Sequence, residues 1–136
     1  VNPVKRLLLG SGRLSDELRR ELAAEGIVFV EEGLTGSVRE FRSARHERAN
    51  EIEGTAGAIV LTPGRLVVWT SRGPHRGKHI DVPLRDGRPM GVDVRADPPE
   101  RIVFGYEPGR PHPGGPGRIE VHLKTPSAAG LALRLT

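Results

Sequence analysis

One stretch limits the fold more than any other: Gly57-Ala58-Ile59-Val60-Leu61-Thr62, then Pro63-Gly64, then Arg65-Leu66-Val67-Val68-Trp69-Thr70. Both runs are apolar and rich in β-branched residues, and the dipeptide between them is a turn signal. Pro presets φ and Gly tolerates positive φ, which suits the two central positions of a type II turn. The stretch predicts a β-hairpin, and therefore an antiparallel sheet at the centre of the fold. A third strand is expected over His79 to Leu84, with others at Gly91 to Arg95, Ile102 to Tyr106 and Arg118 to Lys124. Each is short and bounded by Gly, Pro or Asp, the pattern of an all-β sandwich or barrel. The 18 Gly and 12 Pro among 136 residues then have a physical place, punctuating strands instead of marking disorder. Glu107 to Gly117 carries too much Pro and Gly for a central strand and reads as a long exposed hairpin loop.

The flanks read differently. Ser15 as N-cap, Asp16 and Glu17 in the first turn, and Gly26 at the close predict a short helix, because acids favour the positive end of the helix dipole. Leu14, Leu18 and Leu22 form one apolar stripe, so this helix lies on a surface, either of its own chain or of a partner. Ile27 to Val30 is expected to be a strand, with Ser37 to Phe41 resuming the pairing after a turn at Gly33 and Gly36. Arg39 to Asn50 is polar and fits strand or helix. At the C-terminus Thr125 can cap and Pro126 suits a first helical position, placing Ala128, Leu131, Ala132 and Leu135 on one face. Leu131, Leu133 and Leu135 also alternate as a strand would, so both readings stay open, the helix being the better fit. The length suits one domain: a helical extension over 1–26 and a β domain over 27–136.

The residues Gly57, Leu61-Thr62, Arg65-Leu66 and the following Val82-Pro83-Leu84 carry a resemblance. A small residue, an apolar run, Leu-Thr, a short turn, Arg-Leu and then an apolar strand make a pattern similar to the pleckstrin-homology-like superfold, in particular the bacterial PH-like and GRAM-type domains. The resemblance implies a mainly β (α+β) fold: a bent antiparallel sandwich or partly open barrel of about seven strands with a helix at one end. It also implies a platform for lipid headgroups or proteins. The N-terminal helix and the short C-terminal segment depart from that pattern, and the basic residues that flank the first hairpin loop in phosphoinositide-binding members have no counterpart at matching positions.

Charge narrows the partners. The chain carries a net charge of +4, which invites a nucleic-acid reading until its distribution is examined. Residues 1–68 hold ten basic and ten acidic residues, whereas residues 69–136 hold eleven against seven, so the excess belongs to the second half. Aromatics are only 4%, too few for a single-strand stacking platform, and nucleic acid is set aside as a partner. With no Cys, disulfides, thiolate metal sites and thiol nucleophiles are excluded. No apolar run spans a bilayer, and Leu7 to Leu9 is too short for a signal-peptide core, so a cytoplasmic or membrane-peripheral protein is expected.

The densest polar feature is Arg72-Gly73-Pro74-His75-Arg76-Gly77-Lys78-His79. Its cations and imidazoles sit in a Gly-containing loop with no intervening acid, where guanidiniums and backbone amides can converge on a phosphate or carboxylate. Arg72, His75, Arg76, Lys78 and His79 are therefore the anion- or partner-binding candidates, against the plainer reading of a solvated turn. Arg39 and Arg42 join them at the head of a series continuing through Arg45 and Arg48, a spacing of three that makes a basic stripe on a helix and none on a strand. His75 and His79 have metal-ligand spacing for a helix, but Gly73, Pro74 and Gly77 oppose one and only Asp81 could add a ligand. No metal site, cofactor or catalytic residue is assigned. Gly10-Ser11-Gly12-Arg13 is Gly-rich without the Lys-Ser/Thr ending of a phosphate loop, and no Ser lies on a Gly-x-Ser-x-Gly elbow. Trp69 reads as a core or hairpin anchor, and His122 has no evident partner. The expectation is a non-enzymatic module binding anionic lipid headgroups or a protein partner through loops and a sheet edge. The alternative is a small ligand-binding or enzymatic barrel using His75, His79 and Asp81.

Overall fold

The computed structural model describes residues 10–41, 51–72, 76–108 and 117–136. Eight antiparallel strands make one sheet: β1 (Phe29–Phe41), β2 (Glu51–Leu61), β3 (Arg65–Thr70), β4 (Gly77–Arg85), β5 (Arg88–Pro89), β6 (Asp93–Asp97), β7 (Arg101–Tyr106) and β8 (Arg118–Lys124). The order β5-β4-β3-β2-β1-β8-β7-β6 is that of a meander whose first and last strands pair. The sheet curls into a nearly closed barrel. Helix α1 (Asp16–Glu25) precedes it and helix α2 (Ala128–Leu135) follows it.

The hairpin dictates the layering. Alternate residues of a strand face opposite sides, and β2–β3 is apolar on both. Ile59, Leu61, Leu66 and Val68 join Ile80, Ile102, Phe104, Ile119, Val121 and Leu123 inside the barrel. Ala58, Val60 and Val67 face outward and are covered by Leu14, Leu18 and Leu22. The leucine stripe of α1 thus docks on its own chain. Ser15 caps α1, its Oγ accepting from Leu18 N at 3.2 Å. Arg65 then pins the helix, lying 3.0 Å from Glu21, 2.7 Å from Glu25 and 2.9 Å from Asp81 of β4. Leu131 and Leu135 of α2 insert into the barrel core, against which Phe29, Val82 and Leu84 also pack.

Several expectations are corrected. No turn interrupts β1 at Gly33 and Gly36; it is one strand of 13 residues, with only a register shift between Glu31 and Leu34 where Gly33 takes φ 72°. Gly36 stays in the strand because a Cβ there would strike the His122 carbonyl of β8. The Pro63-Gly64 turn is in place but is not type II, since Gly64 is not among the positive-φ glycines. Thr62 Oγ1 organises it instead, accepting from the N–H groups of Gly64 at 3.3 Å and Arg65 at 3.1 Å. α2 begins at Ala128, not at Pro126, and Thr125 Oγ1 accepts from Ser127 N at 3.0 Å in the turn ahead of it. Two-residue β5 has no counterpart among the strands expected from sequence. The residues of the expected loop from 109 to 116 lie outside the described set.

Candidate functional site

α2 occupies one end of the barrel, and the β1–β2, β3–β4 and β7–β8 connections leave from the other. Their roots are tied together: Gly117 N–H donates to Phe41 O at 2.6 Å and Ser71 N–H to Ala56 O at 2.9 Å. Arg72 N–H donates to Thr55 Oγ1 at 3.3 Å. At this end the apolar core gives way to polar groups. Tyr106 of β7 and His79 of β4 span the gap left by the short β6, with the phenol oxygen 2.8 Å from Nε2 and the rings edge-on at 5.8 Å. Thr70 Oγ1 lies 3.3 Å from the other ring nitrogen, Nδ1. Burial, aided by the charge of Glu40, pushes the Tyr106 hydroxyl up to about 12. It therefore keeps its proton at neutral pH, and the His79 tautomer sets which partner donates in each of the two bonds. Beside this cluster a pocket of about 400 Å³ is lined by Val38, Glu40, Glu51, Ile52 and Glu53.

The structure separates the predicted cations. Arg72 Nε is 4.0 Å from Glu53, and Lys78 is 3.6 Å from Asp81 on the outer face. His79 is engaged inside the barrel mouth, whereas Asp81 faces Arg65 outside, so these two do not share a pocket. Arg39 lies on β1 between Ile52 and Glu120, its Nε donating to Ser37 Oγ at 3.2 Å. His75 and Arg42 lie outside the described residues. Among the described residues of the series, Arg76 is brought to a groove shared with Arg13, Trp69 and Ser71. Among the described residues no group of His, Asp and Glu is arranged to hold a metal ion.

Sequence reading missed a connected polar network on the outer face of β6, β7 and β8. Glu120, 5% exposed, accepts from Arg118 Nε at 3.0 Å and Arg95 Nη1 at 3.2 Å, and its Oε1 lies 2.9 Å from His122 Nε2. Arg118 also holds Asp93 through two bonds, at 2.8 and 2.6 Å. Burial alone would push the Glu120 carboxyl up; the bonds from His122, Arg95 and Arg118 overcome it and hold the group at about 2. Burial, with the charges of Arg39 and Arg95, pushes the His122 imidazole down despite Glu120. Among the described residues, His122 Nδ1 is buried without a hydrogen-bond partner. Gly105 makes room for the Arg118 guanidinium, which a Cβ there would strike. The sequence signal was the alternation Arg118-x-Glu120-x-His122, which places three polar side chains on one face of a strand. Glu120 and His122 at its centre are buried while Arg95 and Asp93 reach solvent, and its bonds join β6 to β8 as a clasp between strands. Compared with known proteins, the chain matches no family model, no curated protein and no solved structure.

Proposed function

We propose that the chain is a non-enzymatic binding module of pleckstrin-homology-like type, engaging an anionic headgroup or a protein partner through its loop end and sheet edge, in the cytoplasm or at a membrane surface. The observation that carries this reading is the barrel interior. Ile59, Leu66, Ile102, Phe104, Ile119 and Leu123 fill it with 0% exposure, so a partner meets the outside and the mouth of the barrel, not a central cavity. The meander closing through β1 and β8, with α2 plugging one end, supports the family resemblance. A fold of this kind does not fix its ligand. Co-sedimentation with phosphatidylcholine vesicles, with and without phosphatidylserine, tests the lipid reading. The expected result is binding to the anionic vesicles that weakens with salt and with Arg72→Ala plus Arg76→Ala. Absence of binding at low salt removes the lipid reading and leaves protein recognition.

A further inference from the structure

Gly10 to Leu14 and the β3–β4 connection are distant in sequence, and the fold lays them side by side. Gly12 N–H donates to Ser71 Oγ at 2.8 Å, and Gly12 O accepts from Gly33 N–H at 3.0 Å. Gly10 and Gly12 have φ of 86° and 66°. A Cβ on Gly12 would lie 2.7 Å from Gly57 N, and one on Gly10 would lie 2.5 Å from Ser71 Cβ. Glycine at both positions is what lets this strap approach so closely. The strap borders an open groove of about 500 Å³ whose walls include Arg13, Arg76, Ser11, Ser71 and Trp69, with no acidic residue among the described lining residues.

Two guanidiniums flank this groove with little to neutralise them. Arg13 lies 3.6 Å from Glu32 yet its side chain is 59% exposed, and Glu32 has a closer partner in Arg19 at 2.8 Å. Arg76 is exposed and forms no ion pair among the described residues. Their neighbour Lys78 is committed to Asp81. Trp69 packs partly on the α1 cluster. Its six-membered ring passes over Gly77, where a Cβ would sit 3.9 Å from Cη2 and Cζ3. Paired guanidiniums match the oxygens of a phosphate, an indole face matches a planar ring, and the volume is in the range of small-molecule sites.

We propose that this groove binds a small phosphate monoester carrying a planar ring, the chemistry of a nucleoside monophosphate, with the phosphate between Arg13 and Arg76 and the ring against Trp69. The proposal goes beyond the family resemblance and does not depend on it. The chain has one Trp, so its fluorescence reports the groove directly. Titration with adenosine monophosphate at low salt should change the emission saturably, with adenosine and inorganic phosphate each binding at least about tenfold more weakly. Arg76→Ala and Arg13→Ala should each weaken the nucleotide by roughly tenfold, with circular dichroism and melting temperature unchanged, because both side chains are exposed. Calorimetry on the same samples gives a second readout. No saturable response up to about 10 mM nucleotide, or equal affinity in the Arg13→Ala, Arg76→Ala double variant, overturns the proposal. Inorganic phosphate, or phosphatidic acid vesicles at equal phosphate, binding as tightly as the nucleotide also overturns it, because the ring would then contribute nothing.

Discussion

Replacing Glu120 by Gln should remove the charge at the centre of the outer-face network while leaving its shape. The carboxyl, 6% exposed, is surrounded by Arg118, Arg95 and His122. Its fall from 4.5 to about 2 on folding, at about 1.4 kcal/mol per unit, amounts to roughly 3 kcal/mol of stability at neutral pH. The folded-state pKa lies below the unfolded one. This stability is therefore complete above pH 4.5 and is lost as pH falls toward 2. Glu120→Gln should cost about 2–3 kcal/mol at pH 7, Gln still accepting one of the bonds, and the cost should shrink toward zero near pH 2 where wild type is itself protonated. Urea unfolding of both proteins by circular dichroism across this range measures it. A difference below about 0.5 kcal/mol at pH 7, the range of ordinary surface changes, or a constant difference at every pH, would show that the Glu120 charge does not stabilise the fold.

Further outcomes follow from the same contacts. Leu22→Ala empties a fully buried site between α1 and β2–β3 and should cost about 2–5 kcal/mol by urea unfolding; hydrogen exchange should show the α1 amides losing protection first, and uniform loss would contradict separate docking of the helix. Gly105→Ala drives a methyl into the Arg118 guanidinium and should cost about 1–3 kcal/mol, less in an Arg118→Ala background; an equal cost in both backgrounds would show that the clash is not the cause. The chain has one Tyr, so absorbance near the phenolate band should give Tyr106 a midpoint near 12. Its folded value is raised, so stability should decline as pH climbs through 10 toward 12; a midpoint near 10 would place the hydroxyl in water.

The parts of this fold that sequence made visible are those decided locally. The β2–β3 hairpin, β8 and α1 each announce themselves through β-branched runs, a turn dipeptide or a capped apolar stripe. The errors arise where a distant segment decides. Gly33 and Gly36 look like a turn because glycine usually signals one; here the close approach of β8 to Gly36 requires glycine inside a strand. The double-sided burial of β2 and β3 explains why their runs are continuous instead of alternating, since α1 covers the second face. The predicted basic loop looked coherent because no acid interrupts Arg72 to His79, yet Glu53 and Asp81 approach Arg72 and Lys78 from elsewhere in the chain or across a bulge. The groove at Arg13 and Arg76 was invisible for the converse reason. Its two halves are far apart in sequence and are joined by the Gly12–Ser71 bond.

The packed interior of the barrel leaves its outer surface as the place proposed to meet ligands. Amide shift mapping of the isotope-labelled full chain, titrated with adenosine monophosphate, tests it most directly. Perturbations should concentrate at Ser11, Arg13, Trp69 to Ser71, Arg76 and Gly77, around the groove. Shifts centred instead on the barrel core at Phe104 and Val121, or beside α2 at Val28 and Leu131, would contradict it.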